Sequence, residues 1–191
     1  MTARLAGWAL ALALLVPWGA PRRAPEASIA RRLLGPIAAL AASAVWVRFE
    51  LEVDAGRFEL AYAFAGLALE LDPGSAAGWY ALAAHLAFDR TRAEREPDPA
   101  RRRRWLEAAL EVLERGERRA RRPARVALSR GLLYRHVAEL QALEPKLGWP
   151  GGERAALEAS ARAFERAAEL GYEEAREYAR RVRELAAEAD G

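Results

Sequence analysis

Residues 56–90 read GRFELAYAFAGLALELDPGSAAGWYALAAHLAFDR, and the small side chains in this stretch decide the fold. Ala61, Ala65 and Ala68 stand at i, i+4 and i+7, which places them on one stripe of one helix. A stripe of alanines lets a neighbouring helix approach closely. Gly56 marks the turn before this helix, and Asp72-Pro73-Gly74 ends it. Trp79-Tyr80-Ala81-Leu82-Ala83 then opens the next helix. The unit is therefore helix, short turn, helix, proline stop, next helix.

The unit recurs. Val45 and Trp79, Trp46 and Tyr80, and Phe49 and Ala83 are each separated by 34 positions. Further along the spacing becomes 48, relating Ala83 to Gly131 and Leu86 to Tyr134. The same step carries Ala61, Ala65 and Ala68 to Ala109, Leu113 and Gly116, and a step of 51 carries these to Ser160, Phe164 and Ala167. A 34-residue period with two insertions accounts for all three steps. The insertions fall near residues 89–103, around DRTRAEREPDPARR, and near 142–152, around LQALEPKLGWPGG. A period of 34 is that of helix–turn–helix repeats.

Composition agrees with an all-α fold. The apolar fraction of 52% comes mostly from Ala and Leu, both strong helix formers. Runs of β-branched and aromatic residues, which strands need, are missing. A chain of 191 residues is long enough for one domain with a real core. There is no cysteine, which excludes disulfides, thiolate metal sites and cysteine nucleophiles.

At this point GRFELAYAFAGLALELDPGSAAGWYALAAHLAF resembles a tetratricopeptide repeat (TPR). It carries the Gly-Arg-aromatic turn, small residues on the second helix, the Leu-Asp-Pro stop, and Trp opening the next repeat. Region 33–191 also resembles membrane-associated repeat proteins of bacteria, through LLGPIAALAASAVWVRFE and ALSRGLLYRHV. The resemblance implies a right-handed α-solenoid of about three degenerate helix pairs over residues 28–191. Arg48, Phe49 and Glu52 replace the usual Leu, small residue and aromatic of the first repeat, and Leu86 stands where an aromatic is usual. The packing of the first helix is thus the point at which the pattern is weakest. At the other end, Tyr172, Ala175, Tyr178, Ala179, Val182, Leu185 and Ala186 form one apolar stripe on a charged helix, as a C-terminal cap requires.

The N-terminus has a different character. Met1-Thr2-Ala3-Arg4 precedes an apolar run, Leu5 to Trp18, inside a segment 1–24 read as a signal or anchor. No A-x-A cleavage motif follows, which favours an uncleaved anchor over a cleaved signal or a soluble apolar helix. The expected location is a bacterial inner membrane. Arg22, Arg23, Arg31 and Arg32 would hold the main domain on the cytoplasmic side, whereas export would place it on the other. Leu33 to Val47 is read as a buried amphipathic helix, with a hairpin of two spans as the alternative.

The motifs of catalysis are missing. There is no HExxH, phosphate-binding glycine loop, G-x-S-x-G elbow or kinase signature. His85 and His136 are isolated and read as helical histidines. The expectation is a non-enzyme without cofactor or metal. In the repeat family the first helix of each pair lines a concave groove. Transferred by register, that implies Trp46, Glu50, Tyr80, Ala84, Phe88, Leu128 and Arg135 as partner-binding residues for a peptide or helix. The occupant could equally be a terminal helix of the same chain.

Charge marks a second surface. Residues 90–125 carry thirteen Arg against seven acids, whereas the flanking regions are near neutral. Arg101, Arg102, Arg103, Arg104, Arg118, Arg119, Arg121 and Arg122 form the candidate basic patch. It could face an anionic surface such as lipid headgroups or an acidic protein. It could also be a solvated face with internal pairs, of which Glu111–Arg115, Glu114–Arg118 and Glu117–Arg121 have the favourable order. Nucleic acid is not expected, because no aromatic residues interleave the run. Competing roles are a structural membrane component and an accessory subunit of an enzyme.

Overall fold

Helix formers separated by proline and glycine stops produce helices with short connections, and this is the architecture found. The structure, a computed structural model, describes residues 33–189; these form seven α-helices and no strand. Contacts divide the described residues into two compact units, the first ending at Leu71 and the second beginning at Asp72. The segment expected to be an anchor, 1–24, lies outside the described residues. Among the described residues no helix is long and apolar enough to cross a membrane.

In the first unit a 3-10 turn, Gly35–Ile37, leads into α1 (Ala38–Asp54), which packs against α2 (Phe58–Leu71). The turn between them closes when the Gly56 and Arg57 amides donate to the Val53 and Glu52 carbonyls at 2.9 and 2.8 Å. Ala61, Ala65 and Ala68 are completely buried. The unusual first-helix residues are accommodated. Phe49 is buried, with the Trp46 ring edge-on at 5.3 Å. Glu52 is buried too, where Arg48 pairs with it at 2.5 Å and the Arg57 guanidinium donates to it. That hydrogen bond from Arg57 holds the Glu52 carboxyl below its ordinary range, against the opposing effect of burial.

The second unit holds α3 (Ala76–Ala84), a π-helical turn (His85–Asp89), α4 (Pro99–Glu117), α5 (Pro123–Leu143), a 3-10 turn (Pro145–Leu147), α6 (Gly152–Glu169) and α7 (Ala175–Glu188). Each helix packs on the next, and α3 also touches α5. Starts are set locally. The Ser75 hydroxyl accepts from the Gly78 amide at 3.1 Å and the Asp98 carboxylate from the Ala100 amide at 2.9 Å. Proline occupies the first position of α4 and of α5, where its missing N–H costs nothing.

The spacing of small and apolar residues recurs as burial. The nine positions related by steps of 48 and 51, from Ala61, Ala65 and Ala68 through Ala109, Leu113 and Gly116 to Ser160, Phe164 and Ala167, are all buried. So are Phe49, Ala83 and Gly131. Two glycines at these positions allow contacts that no side chain would permit. A Cβ on Gly116 would lie 2.6 Å from the Trp79 ring, and one on Gly131 would lie 2.5 Å from the Phe164 ring. Trp79 is fixed further by its indole N–H, which donates to the Pro73 carbonyl at 2.8 Å. The buried Ser160 hydroxyl donates to the Gly131 carbonyl at 2.7 Å.

The two insertions are not simply loops. Phe58, the first residue of α2, maps 48 positions on to Leu106, yet α4 begins earlier, at Pro99. The polar stretch is thus partly spent on an extra N-terminal helical segment, because Asp98-Pro99 is a strong start signal. Likewise α5 continues to Leu143 before its proline stop.

Candidate partner-binding surface

A buried helix face has an outward counterpart, and on three helices of the second unit that counterpart is apolar. Tyr80 on α3 is 49% exposed, and Phe88, at the end of the π-helical turn, is 42% exposed. Leu132 on α5, and Tyr178 and Leu185 on α7, are also about half exposed. The intervening helices α4 and α6 show no large exposed apolar side chain. Exposed aromatic and aliphatic groups are thus confined to alternate helices.

Between α5 and α7 this face deepens into an open groove of about 740 Å³. Leu132 and Ala138 line one wall, Leu157 and Phe164 of α6 the floor, and Tyr178 and Leu185 the other wall. The Tyr178 ring rests 5.6 Å from the buried Phe164 ring, which braces the Tyr178 side chain in the wall. Arg135 stands at the rim, its Nε donating to Glu139 at 3.1 Å. Such a surface, apolar with charges at the edge, suits an amphipathic helix or an extended peptide.

Of the residues read from sequence as groove-lining, Tyr80, Phe88 and Arg135 are exposed in this unit, and Ala84 and Leu128 are half buried. Phe88 packs on the His136 ring at 4.8 Å, which joins the end of α3 to α5. Trp46 and Glu50 belong to the first unit, where Trp46 is half buried beside Phe49 and Glu50 is exposed. The α7 contribution was missed by assigning its apolar residues to a single packed stripe. Ala175, Ala179, Val182 and Ala186 fill that seam, while Tyr178 and Leu185 point away from it into the groove. The signal was present: two large apolar residues seven apart, flanking a seam already complete without them.

The arginine-rich region is largely engaged internally. Arg102 is buried and paired with Glu144 at the end of α5. Arg103 donates to the Gly148 carbonyl at 2.6 Å, Arg118 pairs with Glu114 at 2.7 Å, and Arg121 with Asp72 at 3.0 Å. Arg101 lies 3.6 Å from Asp98. Arg104, Arg119 and Arg122 are exposed. Arg102 therefore serves as a tie between helices and is not part of a surface patch. Of the three local pairs anticipated, Glu114–Arg118 forms. Glu117 instead pairs with Arg130 at 3.1 Å and accepts from the Arg166 Nε at 3.2 Å, clamping α4, α5 and α6 together.

Both histidines are built into the second unit. His85 Nδ1 lies 3.2 Å from Asp89, and burial pushes its imidazole below the ordinary value even though Asp89 acts the other way. Burial depresses His136 similarly, with Glu139 opposing. Among the described residues no group of three or more His, Asp or Glu could hold a metal ion.

Comparison of the chain with protein-family models, with curated proteins and with solved structures gives no match.

Proposed function

We propose that this chain is a membrane-tethered, non-enzymatic binding module. Its helices form a short right-handed solenoid of TPR-like pairs closed at the C-terminal end by α7. The apolar run Leu5–Trp18 tethers it. Its working surface is the groove between α5 and α7, extended by Tyr80 and Phe88, and its ligand is a helix or peptide of a protein partner. The observation that supports this reading is the restriction of half-exposed Tyr80, Phe88, Leu132, Tyr178 and Leu185 to alternate helices, around an otherwise closed core. Side chains of this kind supply contact area with few rotors to immobilise, and a preformed groove costs little ordering entropy.

The test is a triple variant, Tyr80→Ala, Leu132→Ala and Tyr178→Ala, compared with the natural chain in pull-downs from gently solubilised membranes. The expected result is loss of the co-purifying partner with unchanged helicity by circular dichroism. Retention of the same partner by the folded variant would refute the groove as the binding surface.

A further inference from the structure

Helix α1 is apolar on two opposite faces, and only one is covered. Ala38, Ala42 and Phe49 are buried. On the far side Leu40, Ala44, Val47 and Leu51 follow at i, i+4, i+7 and i+11, one continuous stripe, and all four are exposed. Leu40 is 73% exposed and Val47 62%. Leu33 and Ile37, just ahead of the helix, are also open. A helix apolar nearly all round has a second environment besides its own core.

The surrounding sequence says what that environment is. No acidic residue occurs between Glu26 and Glu50, while Arg22, Arg23, Arg31 and Arg32 precede the stripe. The apolar run Leu5–Trp18 lies just before those arginines. Leu33, the first of the open leucines, directly follows Arg31 and Arg32. Clustered arginines beside an apolar helix face complement phosphate headgroups above acyl chains. Glu50 and Asp54 are exposed at the far end of α1 and suit water.

We propose that α1 lies on an anionic lipid bilayer, with Leu40, Ala44, Val47 and Leu51 at the boundary between headgroups and acyl chains. The N-terminal end of the helix sits deeper, and the Glu50 and Asp54 carboxylates stay in water. This rests on the reading of Leu5–Trp18 as a membrane tether, and adds to it a second, peripheral contact. That contact restrains how the binding module stands on the membrane.

The chain contains no cysteine, so one introduced residue can carry a polarity-sensitive fluorophore. Full-length Leu12→Cys, Leu40→Cys, Val47→Cys and Glu59→Cys are labelled and mixed with vesicles of phosphatidylcholine and phosphatidylglycerol. Positions 12, 40 and 47 should brighten about twofold or more, with quenching by acyl-chain spin labels, while the exposed position 59 on α2 should not. A response at 12 without one at 40 and 47 overturns the α1 contact and leaves the tether standing. No response at 12, 40 or 47 overturns both. Brightening at 40 and 47 without lipid quenching means that protein, either the chain's own N-terminal segment or a second copy, covers the face, and this too overturns the proposal.

Discussion

The first and last described helices, α1 and α7, have opposite outward faces. On α7, outside Tyr178 and Leu185, the outward surface is charged: Glu177 pairs with Arg180 and with Arg181, and Arg183 with Glu165 on α6. The hydrogen bonds from Arg180 and Arg181 hold the Glu177 carboxyl below its ordinary range. Such a face is finished by water. On α1 the corresponding surface is Leu40, Ala44, Val47 and Leu51, and nothing among the described residues covers it. Both helices pack one apolar seam against a neighbour, so the difference lies in their destinations and not in how they fold.

The largest effect should come from placing a carboxylate on each kind of face. Val182, at 3% exposure, belongs to the α7 seam, whereas Val47 is on the open face of α1. Val182→Asp buries an unpaired charge and should cost about 3 kcal/mol or more. Val47→Asp should change stability by only about 0.5 kcal/mol. Urea denaturation followed by circular dichroism measures both. Equal losses would mean that α1 has a covered outer face even without lipid.

A smaller effect should separate the two units by pH. Both histidines of the chain lie in the second unit, with folded-state values lowered by burial. The unfolded chain therefore takes up these protons first, near pH 6.5. Stability from the neutral imidazoles is present above that value and declines as pH falls toward the folded-state values. In the first unit the perturbed buried group is Glu52, whose value is lowered. Its contribution is present above about pH 4.5 and is lost only as pH falls further. Between pH 7 and pH 5, hydrogen-exchange protection factors, corrected for the intrinsic pH dependence of exchange, should fall in α3–α7 before α1 and α2. His136→Gln should flatten part of that change. A uniform fall in protection along the chain would show that the histidines do not control it.

Much of this arrangement was legible in residue spacing. Alanine and glycine at helical intervals mark where backbones meet, and Ala68, Gly116 and Ala167 are buried for that reason. Gly131 matches Ala83 and Phe49 by spacing alone, and the Phe164 ring packs against it. The groove was less legible. Tyr178 and Leu185 are chemically indistinguishable from seam residues, and only the completeness of the seam at Ala175, Ala179 and Val182 shows that they are surplus. The arginines were hardest to read. Sequence ranks partners one helical turn away, but Arg102, Arg121 and Arg166 find Glu144, Asp72 and Glu117, all more than forty positions distant. Such pairs exist only once the helices are stacked.

The claim that the α5–α7 groove receives a protein segment is tested most directly by photo-crosslinking in intact cells. A benzophenone amino acid replaces Leu132, Leu185 or, as a control on the charged face of α7, Arg180. The account predicts one discrete protein adduct shared by positions 132 and 185 and absent at 180. Equal adducts at all three positions, or none at 132 and 185, would contradict it.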